Sequence, residues 1–149
     1  MPAANIAANR EERLRPLPAR SALRAQQKPL ADLRKRNAVL RSAVRPKRGE
    51  MTYRIVEDGN TDSSFYRPLL GDGELISVIN TKHGFYRKLY EPLTLSDGNA
   101  QAELVQRIQL LLLAAARAEA VFTRQDELAV IETFRREWSE ALEVLLSSK

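Results

Sequence analysis

Cysteine is absent from the 149 residues and histidine occurs once. These shortages exclude a disulfide framework, a thiolate zinc site, a cysteine nucleophile and most transition-metal sites. The lack of thiols agrees with a reducing compartment, and the expected location is cytoplasmic. Long apolar runs are lacking too. The longest, Leu110 to Ala116, is seven residues and ends at Arg117, whereas a membrane helix needs about 20. The opening MPAANIAANREERLR has no apolar run long enough for a secretory signal. Its Glu11 and Glu12, with little serine, argue against an organellar transit peptide. Neither common phosphate-cradling glycine loop occurs. The turns EDGN, GDGE and SDGN set an acidic residue beside glycine, so Asp72 and Asp97 are read as turn residues rather than metal ligands. No serine stands in a strained glycine elbow. Neither a catalytic group, a cofactor site nor a metal site follows from these residues.

Basic charge is plentiful, and it is unevenly placed. Residues 1–50 hold 13 Lys+Arg and 4 Asp+Glu, a local +9, and residues 51–149 hold 11 and 15, a local −4, summing to +5. A basic arm or linker, partly helical, is therefore expected over 1–50, with an α+β domain over 51–149. Five of the seven prolines also fall in the arm. Its best helical piece is PLADLRKRNAVLRSAV, residues 29–44, with a thin apolar stripe and Arg34, Lys35, Arg36 and Arg41 over the rest. Such a helix is marginal alone and needs a partner surface. RPKRGE, 45–50, reads as a linker. Two uses of the arm stay open: non-specific phosphate contact with a nucleic acid, and docking on a protein. Aromatic residues are absent from 1–50, which argues against base stacking there.

Alternation in MTYRIVED, 51–58, predicts a half-exposed strand. SSFYRPLL and ELISVIN flank GDG and read as a hairpin, with Pro68 placing the first of them at a sheet edge. The second is apolar on both sides and is expected to be covered on both faces. TKHGFYRKLY has Phe85/Leu89 and Tyr86/Tyr90 four apart, which predicts a short helix with Phe85 and Leu89 inward. A helix over 100–122 is apolar almost all round at its middle and should be central. Thr123 is a candidate N-cap for a last helix. That helix places Leu128, Ile131, Phe134, Trp138, Leu142 and Leu145 on one inward face. The expected fold is α+β: a small, mostly antiparallel sheet of about three strands, packed on two long antiparallel helices plus a short one.

His83 has two readings. It could act as a base or meet an anion beside Lys82, Arg87 and Lys88. Alternatively it ends a strand and begins a helix, where a side chain satisfies backbone groups that lack partners. The position favours the structural reading.

VINTKHGFYRKLYEPL, then LLLLAAARAEA, then FRREWSEALEVLL resembles the C-terminal region of bacterial and phage ATP-binding proteins of the GHKL superfamily, which groups gyrase B, heat-shock chaperone, histidine kinase and MutL ATPases. The corner of that family's pattern falls on Asn80, His83, Phe85 and Tyr86, and its closing helix on Phe134, Arg135 and Trp138. Gly84 stands where the family has proline. The nucleotide-binding motifs, Glu-x-x-x-Asn and Asp-x-Gly-x-Gly, do not occur in this sequence. The resemblance thus implies a non-catalytic accessory domain, docking on an ATPase subunit or on a second copy, with no membrane contact. The alternative is a small nucleic-acid-binding protein using the basic arm. Arg34, Lys35, Arg36, Arg41, Lys82, Arg87 and Lys88 are the candidate partner or phosphate contacts.

Overall fold

The computed structural model describes residues 11–18, 27–43, 51–59 and 62–148. The linker expected at 45–50 and the rest of the basic arm lie outside them. In chain order the elements are a single 3-10 turn Glu11–Arg13, α1 Gln27–Arg36, α2 Ala38–Ser42, β1 Thr52–Asp58, β2 Tyr66–Gly71 and β3 Glu74–Asn80. A π-helical segment Phe85–Tyr90 then runs into α3 Glu91–Leu95, followed by α4 Asn99–Glu119 and α5 Gln125–Ser147.

The α+β class and three-strand sheet agree with the sequence reading. Strand order is β1-β3-β2, with β3 antiparallel to β2 and parallel to β1. The central strand is β3, and all seven of its residues are buried, as its apolar character on both sides demands. Pro68 sits in β2 at the sheet edge, where its missing N–H leaves no gap in a ladder. The hairpin turn uses Asp72 and Gly73 at φ 53° and 74°, the left-handed region that a tight turn requires.

Each face of the sheet has its own helical layer. Leu30 and Leu33 of α1 and Leu40 of α2 pack on Val56, Leu69, Ile76 and Val78. The helix-prone piece of the arm finds its partner surface here, so the charge boundary near residue 50 is not a packing boundary for residues 27–43. One helix expected over 29–44 is two, because Asn37 leaves the helical conformation and its side chain caps α2 at Leu40 N. Arg34 bonds Asp72 and Glu74, and Arg36 bonds Asp58, tying α1 to both ends of the strands.

The opposite face is covered by α4, through Leu113 and Ala116 on Tyr53, Leu70 and Leu75, and through Leu112 on a second cluster. That second cluster joins Phe65, Tyr66, Ile79, Phe85 and Tyr90, and Leu142 and Leu146 of α5 close it. Three expectations are corrected. The middle of α4 is not covered all round: Leu112, Leu113 and Ala116 are buried, whereas Leu111 is 67% exposed. On α5 the inward line is Leu128, Ile131, Arg135, Ser139, Leu142 and Leu146, whereas Phe134 is 66% exposed, Trp138 39% and Leu145 70%. The α5 N-cap is Arg124, whose side chain bonds Asp126, so Thr123 lies one residue too early to cap it.

Candidate functional site

The corner after β3 is built from its side-chain hydrogen bonds. Asn80, the last residue of β3, donates through Nδ2 to the carbonyls of Asp62 and Ser64 and accepts from Lys82 N–H through Oδ1. These bonds clamp the loop before β2 to the end of β3. His83 follows. Its Nδ1 accepts the Phe85 N–H at 2.9 Å, which puts the ring proton on Nε2. Nε2 then donates to the Ser139 carbonyl at 2.8 Å. Both ring nitrogens are engaged, and the ring is buried. The bond to Phe85 satisfies one of the N–H groups that every helix start leaves open.

Ser139 is the counterpart on α5. Its hydroxyl accepts the Phe65 N–H at 3.0 Å and donates to the Arg135 carbonyl at 2.7 Å. One buried serine thereby holds the entry to β2, and through its carbonyl the corner histidine. Glu143, one turn on, accepts the Gly84 N–H at 2.9 Å and lies 3.3 Å from His83 Nε2. The Gly84 amide, with Arg87 and Lys88 adding to it, holds the Glu143 carboxyl below its ordinary value. A Cβ at Gly84 would come within 2.6 Å of Glu143 Oε1. Proline there would also lack the N–H that Glu143 accepts. Gly84 is thus fitted to Glu143 of α5.

The segment after the corner is π-helical: Glu91 N–H bonds Tyr86 O, five residues back. Widening the turn changes which side chains stack. Phe85 and Tyr90, five apart, are both buried with ring centroids 6.1 Å apart. Leu89, expected inward from 3.6-residue spacing, is exposed. Tyr86 is half-buried, and its hydroxyl is pushed up by hydrogen bonding to Glu57, by burial and by Glu91.

The two stretches singled out in the sequence meet around Phe65. Its ring lies 5.1 Å from Phe85, 5.8 Å from His83 and 5.0 Å from Trp138, the last edge-on. Phe134 touches Trp138 from outside. Arg135 points inward, to a carboxylate of Glu119 that also accepts the Tyr66 hydroxyl. Burial pushes the Glu119 carboxyl up, against the opposing pull of Tyr66 and Arg135. Tyr53, Glu11 and Arg117 form a similar trio on the β1 side, with Arg117 Nε 2.9 Å from Glu11 Oε1. Sequence reading missed Ser139, Glu143, Glu119 and Arg117. A serine and an arginine, Ser139 and Arg117, at positions otherwise continuing an apolar helix face were the available signal.

The basic candidates divide into two sets. Lys82, Arg87 and Lys88 are exposed at the corner, and the Arg87 guanidinium bonds the Lys82 carbonyl at 2.7 Å. In the other layer Arg34 and Arg36 are in ion pairs, and Arg41 donates to the Lys35 carbonyl. Arg36 on Asp58 is at the same end of the sheet as the corner, since Asp58 pairs with Asn80 across the strands. Among the described residues no group of three or more His, Asp or Glu is placed to hold a metal ion, and no helix is long and apolar enough to cross a membrane. Comparison with known proteins finds no family model, curated protein or solved structure that matches the chain significantly.

Proposed function

We propose that this chain is a non-catalytic interaction domain, an accessory module of a GHKL-type ATP-binding machine that works in the cytoplasm. The observation carrying this reading is how the corner and the closing helix use their side chains. Polar groups that would suit catalysis, His83 above all, are bonded to backbone groups within the domain. Phe134 and Leu145, which the apolar spacing puts on an inward face, are instead mostly in water. A helix that turns Arg135 and Ser139 inside and leaves Phe134 and Leu145 outside offers a contact surface, not a reaction centre. The coherence of Asn80, His83, Phe85 and Trp138 around Phe65 supports treating the two resembling stretches as one structural unit.

Ion pairing of Arg34 and Arg36 within the fold weighs against the phosphate-binding alternative, because those guanidinium groups would have to leave their carboxylates first. The deciding experiment is affinity purification of the tagged full-length chain from its host, with and without nuclease. Recovery of the same protein partner in both arms is expected. Partners lost on nuclease treatment would point to nucleic acid, and a clear ATP affinity of the isolated chain would sink the accessory-module reading.

A further inference from the structure

The outer face of α5 carries more apolar surface than a solvent-facing helix needs. On a 3.6-residue helix its apolar side chains occupy about half the circumference. The domain packs on one part of that arc through Leu142 and Leu146, and Leu128 and Ile131 beside them are half-buried. Mostly uncovered is the adjoining stripe Val130, Phe134, Ala141 and Leu145, with Trp138 among them packed on Phe65 by one edge and 39% exposed. Val130, Phe134 and Leu145 are each about two-thirds exposed. With Trp138 the stripe presents roughly 500 Å² of apolar side chain, at the upper end of what a monomer ordinarily exposes.

Charge on the same helix indicates what covers the stripe. Helix α5 holds six acidic residues and two arginines; Arg135 is buried on Glu119 and Glu143 is turned to the Gly84 amide, so its outward balance is one minus five, or −4. Asp126, Glu137 and Glu140 are all exposed on it. Symmetric pairing of two copies through this stripe would set Glu137 and Glu140 against their own counterparts, and like charges facing each other at an interface are unfavourable. A helix with an apolar face flanked by Lys and Arg fits both features.

We propose that the Val130–Phe134–Trp138–Leu145 stripe of α5 is the docking surface for a basic amphipathic helix of a partner protein, lying along α5 with its cations on the Glu137/Glu140 rim. This rests on the interaction-domain reading and names the surface and partner chemistry it would use.

Trp138 is the sole tryptophan, so its fluorescence reports the site directly. The full-length chain is titrated with two synthetic helical peptides sharing one leucine face, one flanked by lysine and the other by glutamate. The lysine peptide should shift Trp138 emission to the blue with an affinity on the order of micromolar that weakens about tenfold or more with added salt. Phe134→Asp should lower that affinity at least about tenfold while leaving the thermal melt unchanged, because Phe134 is on the surface. The double substitution Glu137→Lys, Glu140→Lys should reverse the preference between the two peptides. Equal binding of both peptides, no binding, indifference to Phe134→Asp, or self-association that itself buries Trp138 would each overturn the proposal. Separately, a host partner recovered equally by wild type and Phe134→Asp would remove this surface but leave the interaction-domain reading standing. Recovery of no partner by wild type would remove that reading whatever the peptides do.

Discussion

The unique histidine is the residue whose meaning depended most on its surroundings. His83 has the composition of a reactive site around it, with Lys82, Arg87 and Lys88 nearby, yet its ring bridges the Phe85 amide and the Ser139 carbonyl. His83→Ala is expected to destabilise the fold by about 1–3 kcal/mol, since it leaves buried backbone groups without partners. A calorimetric melt checks this, and an unchanged midpoint would return the histidine to the list of functional candidates. Ser139→Ala should cost a comparable amount, about 1–3 kcal/mol, because the buried Phe65 N–H would have no acceptor. Glu143 adds a pH dependence. Its carboxyl is held below the ordinary value, so the folded chain binds that proton less readily than the unfolded chain. The stability it contributes is therefore complete above the ordinary carboxylate range and is lost as pH falls through the depressed value. Comparing the acid limb of wild type with that of Glu143→Gln measures it: the variant should lose less stability on acidification.

Two elements depart from ideal spacing, and in both the departure reassigns side chains. Five-residue bonding after the corner sends Tyr90 inward and Leu89 outward. On α5, rotation of the buried line by a fraction of a turn puts Arg135 and Ser139 inside and Phe134 and Leu145 outside. The same helix would satisfy either face by apolar content alone, because apolar residues cover both. Ion pairing of Arg135 with Glu119 and the hydrogen bonds of Ser139 choose between them. Phe134→Ser is accordingly expected to change stability by less than about 0.5 kcal/mol, as surface substitutions usually do. Were Phe134 part of the core, the same change would cost several times more, so a urea melt separates the two cases.

At the scale of the molecule, two helical layers share one sheet. The basic helical layer is bonded to the sheet by both packing and charge: Leu30, Leu33 and Leu40 cover its apolar face, and Arg34 and Arg36 bind carboxylates at its ends. Leu33→Ala should cost about 2–5 kcal/mol, as a buried leucine deletion does. Removing residues 1–50 should expose Val56, Leu69, Ile76 and Val78 and give a chain that aggregates or lacks a cooperative melt. A truncated chain melting like the full-length one would show that α1 is dispensable. Loss of nucleic-acid binding in that truncation would therefore not, by itself, assign binding to the arm.

Sequence alone determined the local character of the chain. Alternation in 51–58, the two-sided apolar run at 74–80, Pro68 at an edge strand and the glycine hairpin turn all follow from short-range rules, because strand period, proline chemistry and turn dihedrals are local properties. The α+β class follows from their order. Only the tertiary structure decided the parallel pairing of β1 with β3, the docking of α1 on the sheet and the rotation of α5. Each is a choice among surfaces of nearly equal apolarity, settled by groups far apart in the chain: Arg34 with Glu74, Arg135 with Glu119, His83 with Ser139. Apolar patterning says how much surface a helix can bury. Which part of that surface stays in water, and is left for a partner, depends on where the buried polar groups find theirs.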